Sequence, residues 1–286
     1  MKTMHIRSIM FLALAAAALP LFAHADLNAD FAGLAKYQFG SDRTALSNIQ
    51  KAVDAAIGNK DTAVLNDLEK RLSAAIQGEC AVEGRRFACR MLHEFGGEAS
   101  VPALAGLLKT PETFQAALTA LETNRSAAAT DALIAAVRES KDTPQVAATA
   151  SLGRQGGEKA VPVLKELLAA TDAAVVSQAA ESLAFIGKSG CAAVAEAIKS
   201  APADRKTVYT PACLQCALDE SDNELLAILN GADFPANVRI AALGGLLKAD
   251  PAKAPEMIIA ALNDPDIHIS RVALGLARKT EGGEIT

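Results

Sequence analysis

The sequence predicts an all-α protein in which helical hairpins stack side by side as an α-solenoid. Hydrophobic residues make up 51% of the 286 positions and charged residues 21%, a composition typical of a chain that folds. Only 4% of residues are aromatic and Trp is absent. The core must therefore consist of small aliphatic side chains, which suit closely packed helices. Similar segments recur about every 31 residues, and none shows the sustained period-two alternation of a β-strand.

The first 25 residues are predicted to be a secretory signal peptide. Lys2 and Arg7 give the N-terminal region a positive charge, and residues 9–19 are apolar. Ala23-His24-Ala25 has the small–x–small pattern of a cleavage site before Asp26. This apolar stretch is too short to span a bilayer core of ~30 Å. The residue directly after the cleavage point is Asp26 and not Cys, and the first Cys of the chain is Cys80, which argues against a lipoprotein. We therefore expect a periplasmic or secreted protein without a membrane span.

The remaining chain divides into a cap, a repeat array and a tail. Residues 26–40 are predicted to cap the first repeat, residues 41–279 to form the array, and residues 280–286 to be a polar tail. The last helix of the array, which begins near His268, is not followed by a second helix. Either this helix is itself the cap, or the open end pairs with another copy of the chain or with a partner.

Each repeat is predicted to contain two short helices, because apolar residues fall at i, i+3, i+4 and i+7. The first pair, Ala45 to Ile57 and Thr62 to Ile76, is separated by Gly58-Asn59-Lys60. First helices end at Gly96-Gly97 and Gly156-Gly157, second helices carry Pro102 and Pro162 in their first turn, and Thr110-Pro111-Glu112 and Asp142-Thr143-Pro144 mark further helix starts. The first helices of several repeats have a Leu at the same position of the repeat, which we call the anchor: Leu92, Leu121, Leu152, Leu183, Leu243 and Leu274.

These repeats resemble the HEAT-repeat family, including its PBS-lyase HEAT-like subgroup. The resemblance rests on Val238-Arg239 followed by Ala241-Ala242 and Leu246, and on the segments AAESLAFIG and ATASLGRQGG. It covers roughly Ser41 to Lys279, about seven units, although the unit around Cys213 lacks the Leu-Gly ending. The resemblance implies a right-handed solenoid with first helices on the convex face and second helices on the concave face.

A concave face of this kind implies a binding surface for a protein or peptide. The second helices that would form it lie near Glu98–Lys109, Arg125–Arg138, Lys159–Leu168, Cys191–Lys199 and Asn223–Asn230. A formal net charge of −5 disfavours a nucleic-acid partner. Arg85, Arg86 and Arg90 form a local basic cluster, which is either a contact for an anion or, more simply, a solvated helix face.

Residues that could carry catalysis are scarce. His93 and His268 remain after the predicted cleavage, but they lie about six repeats apart, too far to share a site. No G-x-S-x-G, H-E-x-x-H or P-loop sequence is present. The closely spaced acids are interpreted as loop and turn residues: Asp264, Asp266, Asp219, Glu220 and Asp222. We therefore predict no catalytic residue, no metal site and no cofactor, and we expect that the chain is not an enzyme.

The five cysteines allow several arrangements in an oxidising compartment, and their odd number leaves at least one thiol without an internal partner. Cys80 and Cys89 could form a disulfide only if Gly84 breaks the helix between them. A continuous helix would separate them by about 13 Å, beyond the limit of ~7 Å between Cα atoms. Cys213 and Cys216 form a C-x-x-C that follows an expected helix start at Thr210-Pro211.

Three functions are compatible with these features. The first is an exported, noncatalytic scaffold that binds a protein or peptide on its concave face. The second is a thiol-redox protein that uses Cys213 and Cys216 as a disulfide or redox pair, since helix N-termini lower the pKa of thiols; alternatively these cysteines are core fillers. The third follows from the resemblance alone: bilin attachment or a chaperone activity like that of PBS lyases, against which export from the cytoplasm counts.

Overall fold

The computed structural model describes residues 27–278, apart from the side chains at positions 203 and 204. The predicted signal peptide with its Ala25–Asp26 cleavage site and the predicted tail at 280–286 lie outside the described residues. The described part contains sixteen α-helices and no β-strand. The prediction of an all-α solenoid is therefore confirmed.

The helices run antiparallel in hairpins that follow one another along the chain. The first eight are α1 (Leu27–Lys36), α2 (Thr44–Asn59), α3 (Thr62–Gln77), α4 (Val82–Phe95), α5 (Val101–Leu107), α6 (Pro111–Thr123), α7 (Ala127–Glu139) and α8 (Asp142–Gln155). The last eight are α9 (Val161–Leu167), α10 (Ala173–Ile186), α11 (Lys188–Ser200), α12 (Ala203–Asp219), α13 (Asn223–Leu229), α14 (Ala236–Ala249), α15 (Ala254–Leu262) and α16 (Ile267–Ala277). Helices α2 to α15 form seven hairpins, in which even-numbered helices come first and odd-numbered helices second.

Several helices begin and end at the Asp, Pro and Gly residues that separate the apolar segments of the sequence. The side chain of Asp61 accepts a hydrogen bond from the N–H of Val64 at the start of α3, and Asp172 caps α10 in the same way. Proline stands in the first turn of α5 and of α9, as predicted. Helix α8 ends before Gly156, whose positive φ of 76° is a conformation that favours glycine.

Four of the Leu anchors lie in one continuous core between the two helical layers, and Leu243 lies in a smaller buried cluster at the C-terminal end. Leu92, Leu121, Leu152, Leu183 and Leu243 are all buried. Cys213 is also fully buried and lies midway between Leu183 and Leu243 in the sequence, so it occupies the anchor position of the sixth repeat. The sixth repeat therefore keeps the register of its neighbours, with a smaller side chain in the core.

Helix α16 presents a partly polar surface at the C-terminal end of the array. In α14, Ile240 and Leu247 flank the anchor Leu243 and pack against the small buried cluster that Leu243 forms with Ala261, Ile269 and Ala273. One repeat later, the equivalent positions are Arg271 and Arg278, both exposed, and the anchor Leu274 is 46% exposed. Repeat proteins need a polar outer face on their terminal repeats, so this replacement favours the interpretation of α16 as a cap.

Candidate functional site

A groove on the first-helix layer is the feature of the surface that best fits a binding site. It encloses about 350 Å3 and is bordered by three successive first helices, α8, α10 and α12. Its lining residues are Ala150, Gly153, Arg154, Gln178, Glu181, Ser182, Phe185, Pro211, Ala212 and Gln215. The cavity extends across α10 from α8 on one side to α12 on the other.

The floor of the groove is a row of side chains on α10. Gln178, Glu181 and Phe185 are spaced by three and four residues, which places them on one face of the helix. Phe185 is 64% exposed, although it belongs to a chain with few aromatic residues. Its ring is an apolar surface that the protein itself leaves uncovered.

The α8 wall of the groove is made of small residues and one paired arginine. A Cβ atom at Gly153 would overlap the side chain of Ser182, so glycine permits the close approach of α8 and α10. The Ser182 hydroxyl donates to the carbonyl of Thr149, 3.1 Å away. Arg154 Nε donates to Glu122 Oε1 at 2.7 Å, a hydrogen bond that raises the pKa of the Arg154 guanidinium. Arg154 is therefore already paired along the layer.

The α12 wall contains Pro211 inside the helix rather than at its start. The sequence predicted a helix start at Thr210-Pro211, but α12 begins at Ala203. Proline has no N–H to donate in a helix interior, which weakens the helix at that point. The neighbouring Thr210 hydroxyl donates to the carbonyl of Lys206, one turn earlier.

Several polar groups of the groove have no hydrogen-bond partner among the described residues. They are the amides of Gln178 and Gln215 and the carboxylate of Glu181, all of them half-buried or exposed. Polar groups that surround an apolar side chain are typical of a surface that recognises a partner.

The second helices instead carry charges that are already paired between repeats. Four ion pairs connect neighbouring repeats along this layer: Lys159–Asp131 (2.5 Å), Arg138–Glu166 (3.5 Å), Lys165–Glu196 (2.6 Å) and Lys199–Glu224 (2.5 Å). Of the two cavities described here, one is lined by first helices alone, and the other reaches the second-helix segments only at the residues that precede α5 and α7. The resemblance led us to expect the binding face there; the geometry favours the first-helix layer.

A second cavity of about 400 Å3 lies at the C-terminal ends of α4 and α6. His93 is half-buried here. Its Nδ1 lies 3.0 Å from the Thr119 carbonyl, and the Thr123 hydroxyl donates to the His93 carbonyl at 2.7 Å. His93 therefore links two first helices. Among residues 27–278, no group of three or more His, Cys, Asp or Glu side chains is placed to hold a metal ion.

The structure pairs the cysteines differently from either predicted pair. Cys216 forms a disulfide with Cys191, with Cα atoms 5.3 Å apart, because α11 and α12 run antiparallel and bring these two residues together. Cys213 is a free thiol that points at the Val194 carbonyl. Burial raises its pKa to about 12. The predicted Cys213–Cys216 pair is wrong, because Cys216 is bonded to Cys191 and Cys213 lies in the core and not at a helix N-terminus.

The possible Cys80–Cys89 disulfide, which required a helix break at Gly84, does not form, since both cysteines are free thiols. Gly84 does not break α4, which continues from Val82 to Phe95. Glycine is required at position 84 for another reason: a Cβ atom there would overlap the Leu34 carbonyl of α1. Cys89 is buried in the core, and burial raises its pKa to about 12.

Most of the basic and acidic candidates have structural partners. Arg86 bonds Glu83 and the Glu112 carbonyl, while Arg90 lies over the ring of Phe87, 5.1 Å from its centroid. Arg85 donates to the Gly78 carbonyl, so the basic cluster contributes mainly to packing. Asp222 and Asp266 cap α13 and α16, in agreement with their interpretation as turn and loop residues.

Comparison with known proteins gives structural likeness only. No protein-family model matches the chain, and no curated protein does. Human deoxyhypusine hydroxylase in complex with glycerol aligns at 16% identity and a TM-score of 0.34, over 89% of this chain and 96% of its own. The CpcE–CpcF complex of phycocyanin lyase from Nostoc aligns at 18% identity and a TM-score of 0.38, over 88% of this chain and 97% of its own. An engineered protein aligns at 17% identity and a TM-score of 0.29, over 79% of this chain and 94% of its own.

Two of these structures bear the names of enzymes, a hydroxylase and a lyase. This finding contradicts the expectation, drawn from the scarcity of catalytic residues, that the chain is not an enzyme. The likeness extends to helical-repeat architecture alone, and the PBS-lyase HEAT-like subgroup has no support from a family model.

Proposed function

We propose that this protein is a helical-repeat scaffold that binds a segment of a protein or peptide partner in the groove between α8, α10 and α12. The observation that carries the proposal is the exposure of Phe185, 64% of its surface, on the floor of a groove of about 350 Å3. Exposed apolar surface inside a depression with a polar border is typical of a protein-interaction site.

The groove is formed by packed helices and so requires little ordering when a partner binds. The Gly153–Ser182 contact fixes α8 against α10. Rigid surfaces lose less conformational entropy on association than mobile ones, which favours affinity. Aromatic residues, Phe among them, are enriched at the cores of protein interfaces.

The chemistry of the groove suggests the chemistry of its partner. Phe185 needs an apolar side chain against its ring. Glu181 lies one helical turn before Phe185 and has no partner among the described residues, so a Lys or Arg near that apolar side chain would pair with it. The amides of Gln178 and Gln215 can bond backbone groups of the bound segment. The expected ligand is a segment with an apolar residue next to a basic one.

We also propose that the protein acts in the periplasm or outside the cell. Two features support this: the pattern of the first 25 residues and the Cys191–Cys216 disulfide, since disulfides persist in oxidising compartments. In residues 27–278 there is no helix long and apolar enough to cross a membrane.

A phage-displayed library of short random peptides, selected on the purified protein, tests the binding proposal. Selected peptides should combine an apolar residue with Lys or Arg, and they should lose about tenfold in affinity, about 1.4 kcal/mol, on the Phe185→Ser variant. Phe39→Ser is the matched control, because Phe39 is 90% exposed but lies outside the groove. Peptides that bind Phe185→Ser as tightly as the wild type would overturn the proposal.

A further inference from the structure

The Cys191–Cys216 disulfide closes the open end of an antiparallel helix pair. Cys191 lies in the first turn of α11 and Cys216 near the end of α12, while residues 201–202 connect the two helices at the other end. Helix α11 belongs to the fifth hairpin and α12 to the sixth. The disulfide is therefore a covalent connection between two successive repeats.

In earlier repeats, the position of Cys216 is occupied by amide side chains that bond the preceding repeat. Asn124 follows the Leu121 anchor by three residues and donates to the Gly97 carbonyl at 2.6 Å. Gln155 stands in the same position after Leu152 and donates to the Asn124 carbonyl at 2.8 Å. Cys216 follows the Cys213 anchor by three residues. This register position couples each of these repeats to its predecessor, and in the sixth repeat the coupling is covalent.

The C-terminal half of α12 depends on this coupling more than its N-terminal half does. Before Pro211, Tyr209 donates to the Leu168 carbonyl at 2.7 Å and Arg205 to the Ala170 carbonyl at 2.9 Å. After Pro211, the anchor is the smaller Cys213, and the disulfide is the strong connection to the preceding repeat. The proline lacks an N–H in the helix interior, which makes it a natural hinge between the halves.

This same half of α12 forms one wall of the groove. Pro211, Ala212 and Gln215 border the cavity, and Gln215 directly precedes Cys216. A movement of the segment that follows Pro211 would therefore displace the wall opposite α8. The position of the wall depends on the bond between Cys191 and Cys216.

We propose that this disulfide is a redox lock that creates the binding-competent groove: the oxidised protein binds its partner, and the reduced protein does so weakly. The proposal rests on the proposed binding function. In the locking step, the two thiols exchange with the disulfide of an oxidant; the new Cys191–Cys216 bond forms as the oxidant's bond breaks, and the oxidant leaves as a dithiol that carries the two electrons and two protons. A dithiol reductant reverses the step. Cys213 does not compete for Cys216, because its buried thiol faces the Val194 carbonyl.

Hydrogen–deuterium exchange on the purified protein tests the lock without any ligand. Reduced wild type, Cys191→Ser and Cys216→Ser should all exchange faster over residues 212–219 than the oxidised wild type, while residues 205–210 should change little. Cys213→Ala is the control, since it removes the neighbouring thiol and leaves the disulfide. Unchanged exchange over 212–219 after reduction would overturn the lock, and agreement between reduced wild type and the Ser variants excludes a general folding defect of a variant.

A second measurement connects the lock to binding. A peptide selected on the oxidised protein should bind the reduced protein and Cys191→Ser about tenfold more weakly, and Cys213→Ala nearly as well as the wild type. Equal affinity for the oxidised and reduced forms would overturn the control of the groove by the disulfide. Failure of the binding function itself would show separately, as peptide binding that is insensitive to Phe185→Ser.

Discussion

Ser182 on α10 packs so closely against α8 that a Cβ atom at Gly153 would overlap its side chain and approach its backbone. The contact brings two walls of the groove together, and a hydrogen bond from the Ser182 hydroxyl to the Thr149 carbonyl strengthens it. Small residues at this contact decide how near the first helices lie to one another. The spacing of the first-helix layer, and with it the shape of the groove, depends on them.

Gly153→Ala should therefore destabilise the protein. We expect the overlap to cost about 1–3 kcal/mol, the range for overpacked cores, and to lower the midpoint of urea unfolding. Gly106→Ala is the matched control: Gly106 lies in α5 with no atom within 4 Å of an added Cβ, so the same change should stabilise by about 0.5–1 kcal/mol. Equal effects at the two positions would contradict the close contact between α8 and α10.

The ion pair between Arg239 and Asp264 connects α14 to the loop before α16, and each side chain is only 12% exposed. The N–H of Asp266 donates to Asp264 at 2.9 Å, and this bond, followed by the contact with Arg239, lowers the pKa of the Asp264 carboxyl. A carboxyl whose pKa is lower in the folded state stabilises the fold above its unfolded pKa of about 4. That stabilisation is lost as the pH falls through the lower, folded pKa.

We expect the urea midpoint to fall below about pH 4 and to fall less steeply in Asp264→Asn, which cannot titrate. Unfolding curves between neutral and acidic pH measure the difference in slope. The exposed Asp131, in an ion pair with Lys159, provides the control variant Asp131→Asn, which should change the slope little because exposed pairs contribute weakly. Identical slopes for wild type and Asp264→Asn would show that this carboxyl does not contribute.

The helical architecture could be predicted from the sequence because the same apolar pattern recurs in several repeats. Leu92, Leu121, Leu152 and Leu183 each gave the same information, and the core position of Cys213 follows from its equal distance to Leu183 and Leu243. The start of α12 could not be found in this way. Proline favours the first turn of a helix, so Thr210-Pro211 resembled a helix start, but packing of Tyr209 and Cys213 in the core overrides that preference.

The candidate site was less predictable because it depends on relations between helices. Which thiol lies opposite Cys216 is decided by the antiparallel register of α11 and α12, which also places Val194 opposite Cys213. The sequence spacing of Cys213 and Cys216 carries no such information. The exposure of Phe185 likewise depends on how α8 and α12 stand beside α10. One signal was available: Phe185 is an aromatic residue next to the buried Ala184 in a helix otherwise rich in Ala.

Alkylation of the native protein should distinguish the five cysteines. Burial raises the pKa of Cys89 and Cys213 to about 12, so few of these thiols are ionised near neutral pH and both should resist iodoacetamide until the protein unfolds. Cys80 is only half-buried, and the nearby Arg85 partly offsets the rise in its pKa, so it should react first. Peptide mass spectrometry after labelling with and without urea measures this order.

The same experiment tests the disulfide. Cys191 and Cys216 should remain unlabelled even in urea and become labelled only after reduction, because neither carries a free thiol. Cys80→Ser should remove the fast phase of labelling and leave the other sites unchanged. Labelling of Cys216 in urea without a reductant, together with protection of Cys213, would show that the disulfide joins other residues.

The two anchors Leu243 and Leu274 test whether α16 is a cap or an interface. Leu243 is 2% exposed, so Leu243→Ala should cost about 2–5 kcal/mol, as buried leucines do. Leu274 occupies the equivalent position one repeat later but is 46% exposed, and the neighbouring Arg271 and Arg278 face solvent.

If α16 is a cap, Leu274→Ala should lower stability by less than about 1 kcal/mol, and its effect should not depend on protein concentration. If a second copy covers this face, Leu274→Ala should instead lower the molar mass measured by light scattering, because the substitution removes apolar area from the contact. A mass that stays monomeric for wild type and variant alike would leave the cap as the role of α16.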